Sequence, residues 1–345
     1  MNKSKFKDYL IHNPDSQSMV KLTVLYVLLL CVFGFSNPNF LTMSNFSNIF
    51  KNTAELGIIA IGVSMVVITG RIDLSISSTY CFAGITFAVL LLNGMHFAAA
   101  MALTFVICVL FGVINGIFVG YMGLQPVLVT TASQMLIRGL CYIGAGTKTV
   151  MIRGMLPAFG ELGSVKIGGM FTIGFLVMIF MMVIQFFVLK RTRFGIMLLS
   201  VGNNPNTTRL SGYNTKRSIA VVYIMNSIIA WIAGMFMIAR LQGVESTYGS
   251  GYEFTALTIV LMGGITFGGG KGNSIGLFLS AIAMSILENG MNLIGISSLY
   301  QSAIIGFMVL LMIANPDISG MRAISAAKRE TRELNAKRAM AASSK

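Results

Sequence analysis

The chain has 345 residues, 55% of them hydrophobic and only 10% charged, with a mean hydropathy of +0.79. Runs such as residues 172–189 contain no charge until Lys190, which a soluble core does not require, so the composition predicts an all-α, polytopic membrane protein. The net charge of +14 lies in the termini and between apolar runs rather than on one continuous face, which argues against nucleic acid and for anionic membrane lipid and topology.

Lys3, Lys5 and Lys7 precede an apolar run over 20–35, as in a signal peptide, but the run ends in Ser36-Asn37-Pro38 without a small-residue cleavage site. An uncleaved first span is the better reading. Onward from there, apolar runs bounded by Gly, Pro, Asn and charge predict about ten transmembrane helices: 20–36, 54–70, 77–93, 97–120, 126–146, 170–189, 218–240, 254–268, 274–295 and 299–315. The domain layout is then an N-terminal cytoplasmic segment over 1–19, a membrane domain over 20–316 and a cytoplasmic tail over 317–345. Cys31, Cys81, Cys108 and Cys141 all fall within apolar runs, show no metal or redox spacing, and read as small core residues.

The loop 190–217 is long, rich in Asn and Gly, and basic: Lys190, Arg191, Arg193, Arg209, Lys216 and Arg217 stand there with no acid among them. Placing it in the cytoplasm, with six spans before it and four after, puts both termini inside. The same arrangement puts 19 of the 25 bases inside, as the positive-inside rule requires. The tail from Arg322 onward, with Glu330 and Glu333 among Arg329, Lys337 and Arg338, reads as a solvated or surface-lying helix.

Polar residues inside apolar spans come next. Arg138 and Glu288 lie about 18 and 21 Å from the cytoplasmic ends of their spans at about 1.5 Å per residue. An unpaired charge there costs on the order of 3 kcal/mol, so the two are expected to face the interior and either pair or share a hydrated cavity. Asn115, Gln134, Asn289 and Asn292 add hydrogen-bonding groups in the same region; they suit a polyhydroxylated solute, and equally suit a role as glue between helices.

Gly112, Gly116 and Gly120 repeat every fourth residue, which predicts close helix packing. The run Gly268-Gly269-Gly270-Lys271-Gly272 resembles a phosphate loop only superficially: Ile265 stands where the first Gly is needed and Gly272 where Ser or Thr must follow Lys. His12 and His96 have no nucleophile near them in sequence, so no acid, base and nucleophile set for catalysis is assembled, and no cofactor is expected in this chain. Span two, the turn 69–75 and span three match span seven, the turn 249–253 and span eight as an inverted internal repeat, with Asp73 and Glu253 as expected helix-turn caps.

Four segments in order carry a family resemblance: VVITGRIDLSISS (66–78), SQMLIRGL (133–140), RTRFGIMLLSVGNNPNTTRLSGYN (191–214) and GYEFTALTIVLMGGITFGGGKGNSIG (251–276). Over residues 40–316 the chain resembles the ribose/galactose/xylose/autoinducer-2 branch of bacterial ABC-importer permeases. It departs from the family pattern at Arg71, at Ile76-Ser77 and at Thr255. The resemblance implies a cobalamin-importer-like (type II) fold in the bacterial inner membrane. It also implies a second permease copy or a related permease, two cytoplasmic ABC ATPase subunits that bind ATP and Mg, and a periplasmic or lipid-anchored sugar-binding protein. The loop between spans six and seven then carries the ATPase-coupling helix, here Gly202, Asn203, Asn204, Pro205, Asn206, Thr207, Thr208, Arg209, Leu210, Ser211 and Gly212. Asn204 or Asn206 would cap a short helix around Pro205, leaving Arg209 and Leu210 as a charge and an apolar knob. The function so implied is the permease subunit of an ATP-driven importer for a monosaccharide or similar small polyol. The alternative is a stand-alone proton- or sodium-coupled carrier using Asp73, Glu253 and Glu288.

Overall fold

The computed structural model describes residues 14–314, so most of the N-terminal segment and the whole tail expected over 317–345 lie outside the described residues. Among the described residues the chain folds into helices α1 (Pro14–Ser36), α2 (Met43–Ile68), α3 (Ile76–Leu92), α4 (Phe97–Gly116, continued by a π-turn over Ile117–Tyr121), α5 (Pro126–Ala145), α6 (Pro157–Ser164), α7 (Ile173–Arg191), α8 (Arg193–Asn203), α9 (Pro205–Leu210), α10 (Thr215–Leu241), α11 (Tyr252–Met262), α12 (Ser274–Leu293) and α13 (Ser298–Ala314). Four two-residue strands complete it: β1 (Val150–Met151) pairs with β4 (Gly243–Val244), and β2 (Lys166–Ile167) with β3 (Phe171–Thr172), both antiparallel. Six helices, α2, α4, α5, α7, α10 and α12, are long and apolar enough to cross a bilayer, and four shorter apolar ones, in α1, α3, α11 and α13, bring the set to the ten expected.

Local sequence sets the helix starts. Thr42, Thr172, Thr192, Asn204, Asn214 and Asn273 each accept a hydrogen bond through the side chain from a backbone N–H of the first turn they precede. Pro126 and Pro205 stand at the first positions of α5 and α9, where a missing N–H costs nothing.

Three boundaries differ from the sequence reading by six residues or more: α1 begins at Pro14 rather than 20, and two others have a reason in packing. α2 begins at Met43 rather than near 54, because Asn45, Ser47 and Thr53 are buried against protein instead of facing lipid, and hydropathy alone passes over such a turn. α11 stops at Met262 rather than 268. Gly263 packs on α12 so closely that a Cβ there would lie 2.8 Å from the Leu277 nitrogen, and Gly264 turns the chain at φ +87°.

Helix direction follows from contacts between connections. The segments around Gly70, Gly202 and Gly269 meet at the end of the bundle that carries α9; the Gly270 N–H donates to the Ile68 carbonyl at 2.8 Å. The β1–β4 pair and the hydrogen bond from the Asn37 amide to the Leu293 carbonyl, 3.0 Å, belong to the opposite end. Hence α2 runs toward the α9 end and α10 away from it, and each is followed by a turn and a shorter helix, the antiparallel relation an inverted repeat requires. These two helices lie side by side at the centre: 89% of the apolar window of α2 is buried, against 22% for those of α4 and α5.

The glycine repeat packs as expected. A Cβ on Gly112, Gly116 or Gly120 would lie 2.8, 2.8 and 2.7 Å from backbone atoms of Ile224, Ala220 and Lys216, so the α4 backbone rests directly on α10. Cys81, Cys108 and Cys141 are buried as expected, whereas Cys31 is exposed on the outer face of α1.

Candidate functional site

At one end of the bundle α8 leads into the six-residue helix α9. Its cap is Asn204, not Asn206: the Asn204 side-chain oxygen accepts from the N–H groups of Asn206 and Thr207 at 3.0 and 3.1 Å. Thr208 is buried and anchors the helix, while Asn206, Thr207, Arg209 and Leu210 face outward, Leu210 being 84% exposed. Ser211 and Gly212, the latter at φ +90°, turn the chain into α10. Gly202 and Asn203 sit at the base of α9. A Cβ on Gly202 would collide with the Ile68 carbonyl and the Gly270 backbone, so only glycine admits this three-way crossing.

A buried chain of polar groups runs inward from there. Asn226 on α10 donates to Asp73 Oδ2 at 2.9 Å, and Asp73 Oδ1 accepts from the backbone N–H and the hydroxyl of Ser75 at 2.9 and 2.6 Å. Asn115 on α4 donates to the Ser75 hydroxyl at 2.9 Å and accepts from Ser133 on α5. Asp73 thus ties the turn before α3 to α10, and Ser75 and Asn115 carry the chain on to α4 and α5; the residue at the cap position of α3 is Ser75, so the cap expected of Asp73 is corrected to a bond across the turn. Asn115 lies in this chain as an interhelical connector.

A second cluster occupies the opposite end. Arg240 Nε donates to Glu55 Oε1 at 2.6 Å, the one ion pair recorded among the described residues. Glu55 Oε2 accepts from the Tyr80 hydroxyl at 2.8 Å, and Arg240 Nη2 donates to the Tyr248 hydroxyl at 3.2 Å. The rings of Tyr80, Tyr248 and Tyr252 form a triangle with centroid separations of 6.0–6.2 Å. Burial pushes the Tyr248 phenol in the α10–α11 loop up to about 12, so it meets Arg240 as a neutral hydroxyl.

Three further sequence expectations are corrected here. Arg138 and Glu288 do not pair. Arg138 Nη1 donates to the carbonyls of Ser246 and Tyr248 at 2.8 and 2.9 Å, because α5 packs on α3 and α4 while α12 packs on α1, α2, α7, α11 and α13. Glu253 does not cap α11: the cap is Gly251 at φ +90°, and the Glu253 carboxylate, inside the first turn, accepts from Gln134 on α5 at 2.7 Å. Asn292 is not in mid-bundle. It stands exposed at the far end of α12 and accepts from Gln301 on α13 at 2.7 Å. Asn289 is buried with its Oδ1 unpartnered, and Glu288 is half-buried beside it.

The Glu55–Arg240 pair is the feature that sequence reasoning missed. Glu55 stands at the start of the predicted span 54–70 and Arg240 at the end of 218–240; an acid at the edge of an apolar run is the available signal. Gln134 and Arg138, one helical turn apart, strap α5 to the 246–253 segment, and Glu253 Oε2 and Arg138 Nη2 remain buried without a partner. The arrangement places amide, hydroxyl and carboxylate groups between helices.

A ten-helix bundle with lipid-facing outer helices and buried interhelical polar chains is a multi-pass membrane permease. The chain belongs to the family described as branched-chain amino acid transport system / permease component, which it matches over residues 45–313, and as such it is a non-catalytic membrane subunit. The ribose import permease protein RbsC of Escherichia coli (strain K12) is 29% identical over 301 residues, 87% of this chain and 92% of that protein. The probable ABC transporter permease protein y4mJ of Sinorhizobium fredii (strain NBRC 101917 / NGR234) is 32% identical over 288 residues, 83% of this chain and 85% of its own. The D-allose transport system permease protein AlsC of Escherichia coli (strain K12) is 27% identical over 292 residues, 84% and 89% of the two chains. The sequence motifs and these relatives agree on the sugar branch of ABC permeases. No solved structure matches.

Proposed function

We propose that this protein forms the solute path of an ATP-driven importer for a monosaccharide or similar small polyol, with α9 as the helix that docks on a cytoplasmic ABC ATPase. The observation that carries the reading is α9 itself, a short capped helix with its apolar residue Leu210 84% exposed and basic residues around it. An isolated leucine held out from a polar turn is a knob for a partner's groove. The relatives named for ribose and allose, and the neutral amides and hydroxyls of the interhelical chain, support a polyhydroxylated solute. In this reading the α9 end and both termini face the cytoplasm of a bacterium. ATP and Mg are bound by two ATPase subunits, a sugar-binding protein delivers the solute outside, and a second permease copy or a relative completes the path. Closure of the ATPases displaces α9, and α8 and α10 on either side carry the motion into the bundle.

Replacing Arg209 by Ala and Leu210 by Asp tests it in the full complex isolated from native membrane. The expected result is loss of the copurifying ATPase, or ATP hydrolysis uncoupled from uptake. Normal copurification with normal uptake removes the coupling role, and uptake that needs no ATPase and collapses with an uncoupler makes the protein a secondary carrier.

A further inference from the structure

Beside α9 the bundle end opens into a cleft of about 490 Å³, walled by the 69–71 turn, the start of α5, the base of α9 and the 267–268 segment. Gly70, Gly202 and Gly268 contribute bare backbone to its wall, and Pro205, the first residue of α9, stands on its rim. The only ionisable side chain lining it is Arg71. Arg71 is half-buried, donates through Nη1 to the Thr69 carbonyl at 2.7 Å, and has no carboxylate partner among the described residues.

The charges around the cleft identify what fits it. Exposed Arg209, Lys216 and Arg217 lie at this end. Among the acids whose side chains the structure describes, Asp73 is buried and occupied by Ser75 and Asn226, Glu55 is paired with Arg240, and Glu161, Glu245 and Glu253 belong to the opposite end; Glu288 is on α12, nearer its far end. A half-desolvated guanidinium with free donors, beside exposed bases and bonded to no carboxylate among the described residues, calls for a carboxylate, which it binds through two N–H groups at once. Pro205 puts the first turn of α9 on the rim, so the cleft adjoins the helix that offers Leu210 to a partner.

We infer that the Arg71 cleft is a second docking point for the ATPase subunit that takes α9, and that it receives an acidic side chain of that subunit, which pairs with Arg71. The inference rests on the ATPase reading above. It gives the partner a hold on the 69–75 turn, whose Asp73 and Ser75 are bonded to Asn226, Asn115 and, through Asn115, Ser133. Force applied at Arg71 reaches α10, α4 and α5 through that chain, separately from α9.

The test uses the full complex carrying Arg71→Lys, which keeps the charge and supplies a primary amine, treated with a water-soluble carbodiimide that joins amines to carboxylates in direct contact. The expected product, read by peptide mass spectrometry, is an amide between position 71 and one Asp or Glu of the ATPase. Arg71→Glu should then lower uptake about tenfold at unchanged membrane abundance, with a base in place of the identified acid restoring it. If the ATPase is present and links through Lys190 or Lys216 but not through position 71, the inference is overturned while the ATPase reading stands. A position-71 link only to a carboxylate lipid overturns it in the same way. Absence of any ATPase from the isolated complex overturns both.

Discussion

Removing the Glu55 carboxylate leaves Arg240 with its charge in a site where the two side chains are only 5% and 24% exposed. Taking away one partner of such a pair costs about 3 kcal/mol or more, whereas replacing both by apolar groups of similar volume is close to neutral. Glu55→Ala should therefore lower the thermal midpoint of the purified protein markedly, and Glu55→Leu combined with Arg240→Met should recover most of the loss. An unchanged midpoint for Glu55→Ala would show that the pair holds nothing. Single residues of this kind were only partly legible in the sequence. Arg138 and Glu288 were visible as charges inside spans, but their partners are decided by which helices touch. Arg138 found two carbonyls of a loop more than a hundred positions away, a neighbour that no local spacing encodes.

Between elements, the α4–α10 contact depends on the absence of side chains. A Cβ on Gly116 would sit 2.8 Å from the Ala220 carbonyl oxygen, whereas nothing lies within 4 Å of one on Gly139. Gly116→Leu should push the two helices apart and cost at least about 1–3 kcal/mol. Gly139→Ala, on the exposed face of α5, should gain up to about 1 kcal/mol from helix propensity alone. Thermal unfolding of the two variants side by side checks the pair, and equal tolerance at both positions would refute the close packing. This four-residue spacing was readable in advance because it needs only the geometry of one helix. The start of α2 was not: Asn45, Ser47 and Thr53 look like a loop until their burial against other helices is known.

Across the whole molecule, the contacts place Gly70, Gly202 and Gly269 at one end and the β1–β4 pair at the other, but which end faces the cytoplasm is a matter of charge. In a Cys31→Ser background, Leu210→Cys and Leu299→Cys, 84% and 82% exposed in the parent, sit at opposite ends. A membrane-impermeant maleimide added to intact cells should label only position 299, and position 210 should react once the membrane is opened. The reverse pattern would invert the proposed topology. Membrane class, ten apolar helices and the division of six before the basic loop and four after it follow from sequence alone, since hydropathy and charge act over a few neighbouring residues, and the short helix at Pro205 follows from the family resemblance of its motif. Only the tertiary structure decided that α2 and α10 form the centre, that Glu55 pairs with Arg240 while Arg138 straps α5 to a loop, and that three glycine-bearing segments meet beside Arg71. Those facts depend on which distant segments share a contact, and in a chain of uniformly apolar helices many pairings satisfy the same hydropathy pattern, so side-chain shape and buried polar groups select among them.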